Sequence, residues 1–171
     1  MDATVRDYHE QLGISPDYPE KTKLRVQATP GNLVDIGLDC YSRPQRLRSD
    51  AAAAWESMRK AAMAESIELL VVSAYRSPEY QVEVIQRQLA DGKPIEDILT
   101  RVAAPGYSEH QSGCALDLTT PGYEAVEEEF EDSPAFRWLV ANAPMHGFHL
   151  SYPRDNPYGV IYEPWHWCFV G

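Results

Sequence analysis

Two short segments carry side chains able to hold a metal ion and activate water. In Ser108-Glu109-His110-Gln111-Ser112-Gly113-Cys114-Ala115-Leu116-Asp117 an imidazole and a carboxylate stand on either side of Gly113, where the backbone can turn tightly enough for both to converge. In Tyr162-Glu163-Pro164-Trp165-His166-Trp167 a second imidazole follows a carboxylate. Pro164 restricts Glu163 to an extended backbone, so Glu163 and His166 can face one cleft from a rigid support. Singly, each residue has an ordinary reading: an isolated His110 is more often a surface or hydrogen-bonded histidine, and Asp117 can satisfy a neighbouring backbone donor. Together they meet a stricter requirement. A hydrolytic zinc site needs three protein ligands, a position left for water and a base for that water's proton. His110, Asp117 and His166 as metal ligands, with Glu163 as catalytic base, complete the set.

These residues need supporting elements. Cys114-Ala115-Leu116-Asp117-Leu118 alternates as a strand, and His110 falls in the loop before it, which opens at Pro105-Gly106. Gly147 to Tyr152 and Trp165 to Val170 read as two final strands. Leu69 to Ala74 is another, stopped by Tyr75-Arg76-Ser77-Pro78, where Ser77 can cap and Pro78 suits the first helical position. Val82, Ile85 and Leu89 give the following helix one apolar face up to Asp91-Gly92, and a short helix is expected over Ile95 to Arg101. Ser133-Pro134 repeats the cap-and-proline start before Phe136, Leu139, Val140 and Ala143. Upstream, Trp55, Met58 and Ala62 mark a helix from Asp50 that frays at Glu65-Ser66, while residues 15–50 read as loops with one or two short strands. The acidic stretch Glu124 to Asp132 reads as a solvated face or loop. Helices and strands do not alternate strictly, so the expected fold is α+β: one domain over 1–171, with a small antiparallel sheet carrying the zinc site and flanked by helices.

Composition narrows the partners. The chain has 171 residues, 44% of them hydrophobic, enough for a core without staples. Fifteen Lys and Arg against 26 Asp and Glu leave a net charge of -11, which repels phosphate backbones and excludes nucleic acid and anionic membranes as expected partners. No apolar stretch is long enough for a membrane span, and residues 1–14 lack the apolar core of a signal peptide, so either the protein works in the cytoplasm or a leader has been removed. Cys40, Cys114 and Cys168 form no C-x-x-C pair and read as small buried hydrophobes. His9 is expected to be solvated. His146 and His149 have ligand-like spacing, but an alternating strand would send them to opposite faces, so neither is expected to bind metal.

From about Leu69 to Gly171 the sequence resembles the VanY-type D-alanyl-D-alanine carboxypeptidases, zinc metallopeptidases that share a fold with lysostaphin-like peptidases and the hedgehog signalling domain. Three blocks carry the resemblance: Ser73-Ala74-Tyr75-Arg76-Ser77 with Gln81, then Ser108-Glu109-His110 through Asp117, then Glu163-Pro164-Trp165-His166. It implies one zinc ion on His110, Asp117 and His166, Glu163 as base, Arg76 as a catalytic and substrate-contacting arginine, and Ser108 and Gln81 as substrate-binding positions. The implied substrate is a peptidoglycan stem peptide or another peptide ending in D-Ala-D-Ala. Arg76 could clamp its terminal carboxylate or stabilise the oxyanion. Cys114 and Cys168 depart from the family's usual residues, and the first 65 residues carry no part of the likeness; they are expected to be loops and helices packed on a peptidase core over 66–171. Trp165, Trp167, Tyr107 and Tyr162 flank the blocks and can wall the site or belong to the core, Trp167 more naturally to the core.

The same zinc arrangement also suits an L,D-carboxypeptidase or a lysin-like peptidoglycan endopeptidase. A catalytically silent zinc-containing binding module is the alternative from outside the enzymes. A monomer is expected in each case.

Overall fold

The computed structural model describes residues 3–171. In chain order it contains α1 (Ala3–Leu12), α2 (Tyr18–Thr22), β1 (Leu33–Leu38), β2 (Pro44–Arg48), α3 (Ser49–Ala64), β3 (Leu70–Ser73), α4 (Pro78–Ala90), α5 (Ile95–Leu99), β4 (Ala115–Thr119), α6 (Pro134–Asn142), β5 (Phe148–Leu150) and β6 (His166–Phe169). Single 3-10 turns occupy Glu109–Ser112, Glu128–Asp132 and Ala143–His146.

Local chemistry sets the helix starts. The Ser77 hydroxyl accepts from the Tyr80 amide ahead of α4 and the Ser133 hydroxyl from the Phe136 amide ahead of α6, each followed by Pro at the first helical position. Trp55, Met58 and Ala62 are the buried stripe of α3, and Val82 and Ile85 that of α4.

The strands form an antiparallel hairpin, β1 with β2, and a four-stranded antiparallel sheet in the order β3-β4-β6-β5. All five residues of the inner strand β4 are buried. Leu116 and Leu118 lie on one face, in a core with Leu47, Trp55, Met58, Leu139 and Trp167, which leaves Asp117 on the other face between Ala115 and Thr119. The architecture is therefore α+β, with a small antiparallel sheet flanked by helices.

A second apolar cluster joins the N-terminal segment to α4 and α5 through Leu12, Ile14, Tyr18, Ile85, Ile98 and Tyr107. Two expectations fail here. His9 is buried, with Nε2 2.8 Å from the Pro105 carbonyl and its ring against Tyr18 and Tyr107, because residues distant in sequence cover a segment that is locally charged. Tyr107 accordingly belongs to this cluster rather than to a cleft wall. Cys114 and Cys168 are buried, but Cys40 is exposed beside the turn between β1 and β2. The acidic stretch is largely exposed yet anchored by the fully buried Phe130.

Candidate active site

The antiparallel pairing of β4 with β6 sets Asp117 directly opposite His166. Before β6, the Glu163 carbonyl accepts from the His166 amide at 3.1 Å, closing a turn with Pro164 at its second position, and the Glu163 amide donates to the Tyr152 carbonyl. Glu163 is thereby tied at both backbone groups. His110 arrives from the 3-10 turn, which Gly113 ends at φ +70. A Cβ at Gly113 would meet the Arg48 backbone nitrogen at 3.0 Å, so both the conformation and the close approach require glycine.

Asp117 lies between the two imidazoles: Oδ2 is 3.2 Å from His110 Nε2 and Oδ1 is 3.0 Å from His166 Nδ1. One donor atom from each of the three residues falls within 4.8 Å of the others, and all three side chains are buried. A Glu163 carboxylate oxygen is 3.8 Å from His166 Nδ1.

The outer nitrogens are also tied. His110 Nδ1 is 2.6 Å from the Ala74 carbonyl, which can only accept, so Nδ1 carries the proton. Burial and the nearby Arg76 push the His110 pKa down to about 4, so the ring is neutral and Nε2 is a bare lone pair. That atom is buried without a hydrogen-bond partner among the described residues, and it faces a carboxylate oxygen. Two lone pairs set against each other out of water are costly unless a cation lies between them. Two imidazoles and a carboxylate are ligands zinc accepts, so the residues fit one such ion.

His166 is held from behind. Its Nε2 is 2.9 Å from Glu109, whose carboxylate also accepts from the Ser151 hydroxyl at 2.6 Å. This arrangement turns Nδ1 toward Asp117. Burial opposes ionisation of every group here, and the contacts decide the outcome. The protonated His166 holds Asp117 well below the usual carboxylate range and brings Glu109 down to about 2. Hydrogen bonds to Asp117 and Glu109 raise His166 to about 10. Glu163 lacks such partners, and burial pushes it up to about 8.

His110, Asp117, Glu163 and His166 line a cleft of about 340 Å3, with Arg76, Ser108, Tyr152 and Trp165 in its walls. Arg76 precedes the Ser77 cap of α4, and its Nε is buried with no partner among the described residues. Gln81 is not brought to the cleft surface. It is buried behind it, donating from Nε2 to the carbonyl of Ala103, a lining residue, at 2.7 Å. Trp167 is in the core, and Tyr162 packs under Arg154 and donates to Glu131. His146 stacks on Trp138, away from the cluster, and His149 is on β5.

Glu109, Ser151 and Tyr152 join the site without having been singled out in the sequence. Glu109 stands beside His110 in the informative block, which was a usable signal. Nothing local marks Tyr152, whose ring centroid lies 4.8 Å from that of His166.

The chain is similar in sequence and fold to known proteins. The family described as D-alanyl-D-alanine carboxypeptidase VanY matches residues 44–171, so the likeness begins well before Leu69. A D-alanyl-D-alanine carboxypeptidase of Enterococcus faecalis is 32% identical over 147 residues, covering 80% of this chain and 53% of that protein. The chain thus spans about half the length of this curated relative. Among solved structures, the LD-carboxypeptidase LdcB superposes with a TM-score of 0.73 at 34% identity, covering 84% of this chain and 70% of that one. A vancomycin-resistance D,D-pentapeptidase VanY in complex with Zn(II) superposes with a TM-score of 0.65 at 29% identity, covering 88% of each chain.

Proposed function

The chain belongs to the VanY family of D-alanyl-D-alanine carboxypeptidases, and from that premise we propose that it is a zinc-dependent D,D-carboxypeptidase removing the terminal D-alanine of peptidoglycan stem peptides. The observation that carries the reading is the bare, buried His110 Nε2 facing Asp117 beside Glu163, in a cleft that also holds Arg76.

In this reading His110, Asp117 and His166 would hold one zinc ion. When bound, the metal supplies a Lewis acid for the scissile carbonyl and brings the pKa of water to near 7. Glu163 takes the proton of the attacking water and returns it to the leaving amine. A cation in the site would lower the Glu163 pKa from about 8, into the range where a base works at neutral pH. The Arg76 guanidinium receives the substrate's terminal carboxylate, a role that suits its planar fork and offsets the repulsion of a chain with net charge -11. Ser108 contacts the substrate from the cleft wall, while Gln81 braces that wall through Ala103. Glu109, with Ser151, orients His166. One chain supplies every group, which supports action as a monomer.

The likeness to LdcB favours an L,D-carboxypeptidase as the second reading. D-alanine release from a muramyl pentapeptide and from its tetrapeptide, with zinc-loaded and chelator-treated protein side by side, separates the two. Chelator-sensitive release from the pentapeptide supports the D,D reading, and release from the tetrapeptide alone supports the L,D reading. No release from either by zinc-loaded protein would sink both and leave an endopeptidase or a silent binding module.

A further inference from the structure

The cleft does not end at the catalytic cluster. Besides Arg76, its lining includes Gln88, Lys93 and Arg101 together with Val126, Glu127 and Val160. Arg76 lies just before α4, and Gln88 sits near the far end of that helix. At a rise of about 1.5 Å per residue, Gln88 is about 15 Å along the axis from Pro78. Lys93 Nζ donates to the Gln88 side-chain oxygen at 3.2 Å, which fixes an ammonium at this end. The Arg101 guanidinium forms no ion pair or side-chain hydrogen bond among the described residues, and Lys93 forms no ion pair.

Unpaired cations converging on one groove are unexpected in a chain with 26 acidic and 15 basic residues. Away from the cluster around Asp117 and Glu163, Glu127 is the acidic residue lining the cleft. Local positive charge of this kind offsets the repulsive field of the whole molecule and favours an anionic group at that spot.

We infer that Lys93 and Arg101 form a carboxylate subsite that reads a free acidic group upstream of the scissile bond. The inference rests on the carboxypeptidase reading and on Arg76 holding the terminal carboxylate. An extended peptide rising about 3.3 Å per residue covers roughly 7 to 10 Å over two to three residues, and the rest of the distance to the far cations falls to the long side chains of Arg76, Lys93 and Arg101. In a stem peptide ending in D-Ala-D-Ala two groups meet that requirement: the α-carboxylate of a γ-linked D-glutamate at the second position, and the side-chain carboxylate of meso-diaminopimelate at the third. Either becomes neutral on amidation, so the subsite makes the enzyme discriminate free-acid from amidated stems.

The test uses four synthetic pentapeptides ending in D-Ala-D-Ala: free carboxylate at the second position only, at the third only, at both, and at neither. Zinc-loaded wild type is expected to show a kcat/KM about fivefold higher for at least one single-carboxylate peptide than for the fully amidated one, in KM rather than kcat and shrinking with salt, as for solvent-exposed ion pairs. The preferred peptide identifies which carboxylate is read. In Lys93→Gln/Arg101→Gln the ratio is expected to fall to about one. A ratio of one in wild type, or an undiminished ratio in the double variant, overturns the subsite. If wild type turns over none of the four, the D,D-carboxypeptidase reading fails, and direct binding of the same peptides, labelled at the N-terminus, decides separately. A fivefold preference in Kd that the double variant loses upholds the subsite, and equal Kd values overturn it.

Discussion

Asp117 and His166 are direct partners across β4 and β6, with Oδ1 3.0 Å from Nδ1. Register alone places them so. A slip of one residue would send Asp117 into the apolar layer of Leu116 and Leu118 and the bulky apolar pair out of it, so the burial that stabilises the sheet also fixes the polar pair. The remaining donor, His110, is placed by the Gly113 turn and the Ala74 carbonyl.

His110→Ala is expected to lower zinc affinity by roughly 100-fold or more and to abolish the rise in Tm that zinc gives the wild type, since metal bound only by the native state is linked to folding. Metal content after dialysis and Tm with and without zinc check both. Unchanged zinc content would remove His110 from the ligand set.

Glu109 acts through His166, so Glu109→Gln is expected to weaken zinc binding about 10- to 100-fold while the protein stays folded. Glutamine retains an acceptor oxygen but not the charge. Competition against a chromophoric chelator measures the affinity, and a wild-type value would reduce Glu109 to a structural contact of Ser151.

Glu163→Gln is expected to lower kcat by about 100- to 10,000-fold with zinc still bound at one equivalent. Because burial raises the Glu163 pKa, the neutral amide is tolerated where the carboxylate is strained, and the metal-free variant should be at least as stable as wild type at pH 8. Turnover near the wild-type level would exclude Glu163 as the base.

The convergence of His110, Asp117 and His166 was legible in the sequence because it follows from local signals: a strand, a glycine turn and a proline-fixed turn. The Ser-Pro helix starts of α4 and α6 were legible for the same reason. What escaped depends on contacts between distant segments. Glu109 reaches a histidine 57 positions away, and His9 is buried by a carbonyl 96 positions away. α2 has five residues and no side-chain cap at Asp17, so its sequence carries little signal above that of a loop. Gln81 belongs to a block that promised substrate contact, yet it occupies the buried face of α4 beside Val82 and Ile85.

Arg76→Lys is expected to lower kcat/KM by about tenfold or more, largely through KM, because an ammonium keeps the charge but lacks the fork that pairs with a carboxylate. Substrates with a C-terminal amide should lose the difference between the two proteins. Equal kinetics on the free acid would leave Arg76 as a support of the α4 start.

Metal binding should be coupled to protons. Burial alone would lower the His166 pKa, but its bonds to Asp117 and Glu109 hold it at about 10, so in the metal-free protein Nδ1 keeps its proton throughout the neutral range. A cation binding at Nδ1 must expel that proton, so apparent zinc affinity should rise about tenfold per pH unit between pH 7 and 9. The stability sign follows from the same shift. A histidine whose folded pKa is raised contributes most below its unfolded value near 6.5 and loses that contribution as pH climbs toward 10. Glu163, also raised, adds a decline in the same direction up to about pH 8. His110 is lowered, and its cost appears only below pH 6.5, outside this window. Metal-free protein should therefore lose Tm from pH 7 to 10 faster than His166→Ala, which cancels the general titration of the chain. Calorimetry in buffers of different ionisation enthalpy counts the released protons. Zinc uptake without proton release at pH 7.5, or parallel Tm profiles for the two proteins, would show that His166 is neutral in the empty site.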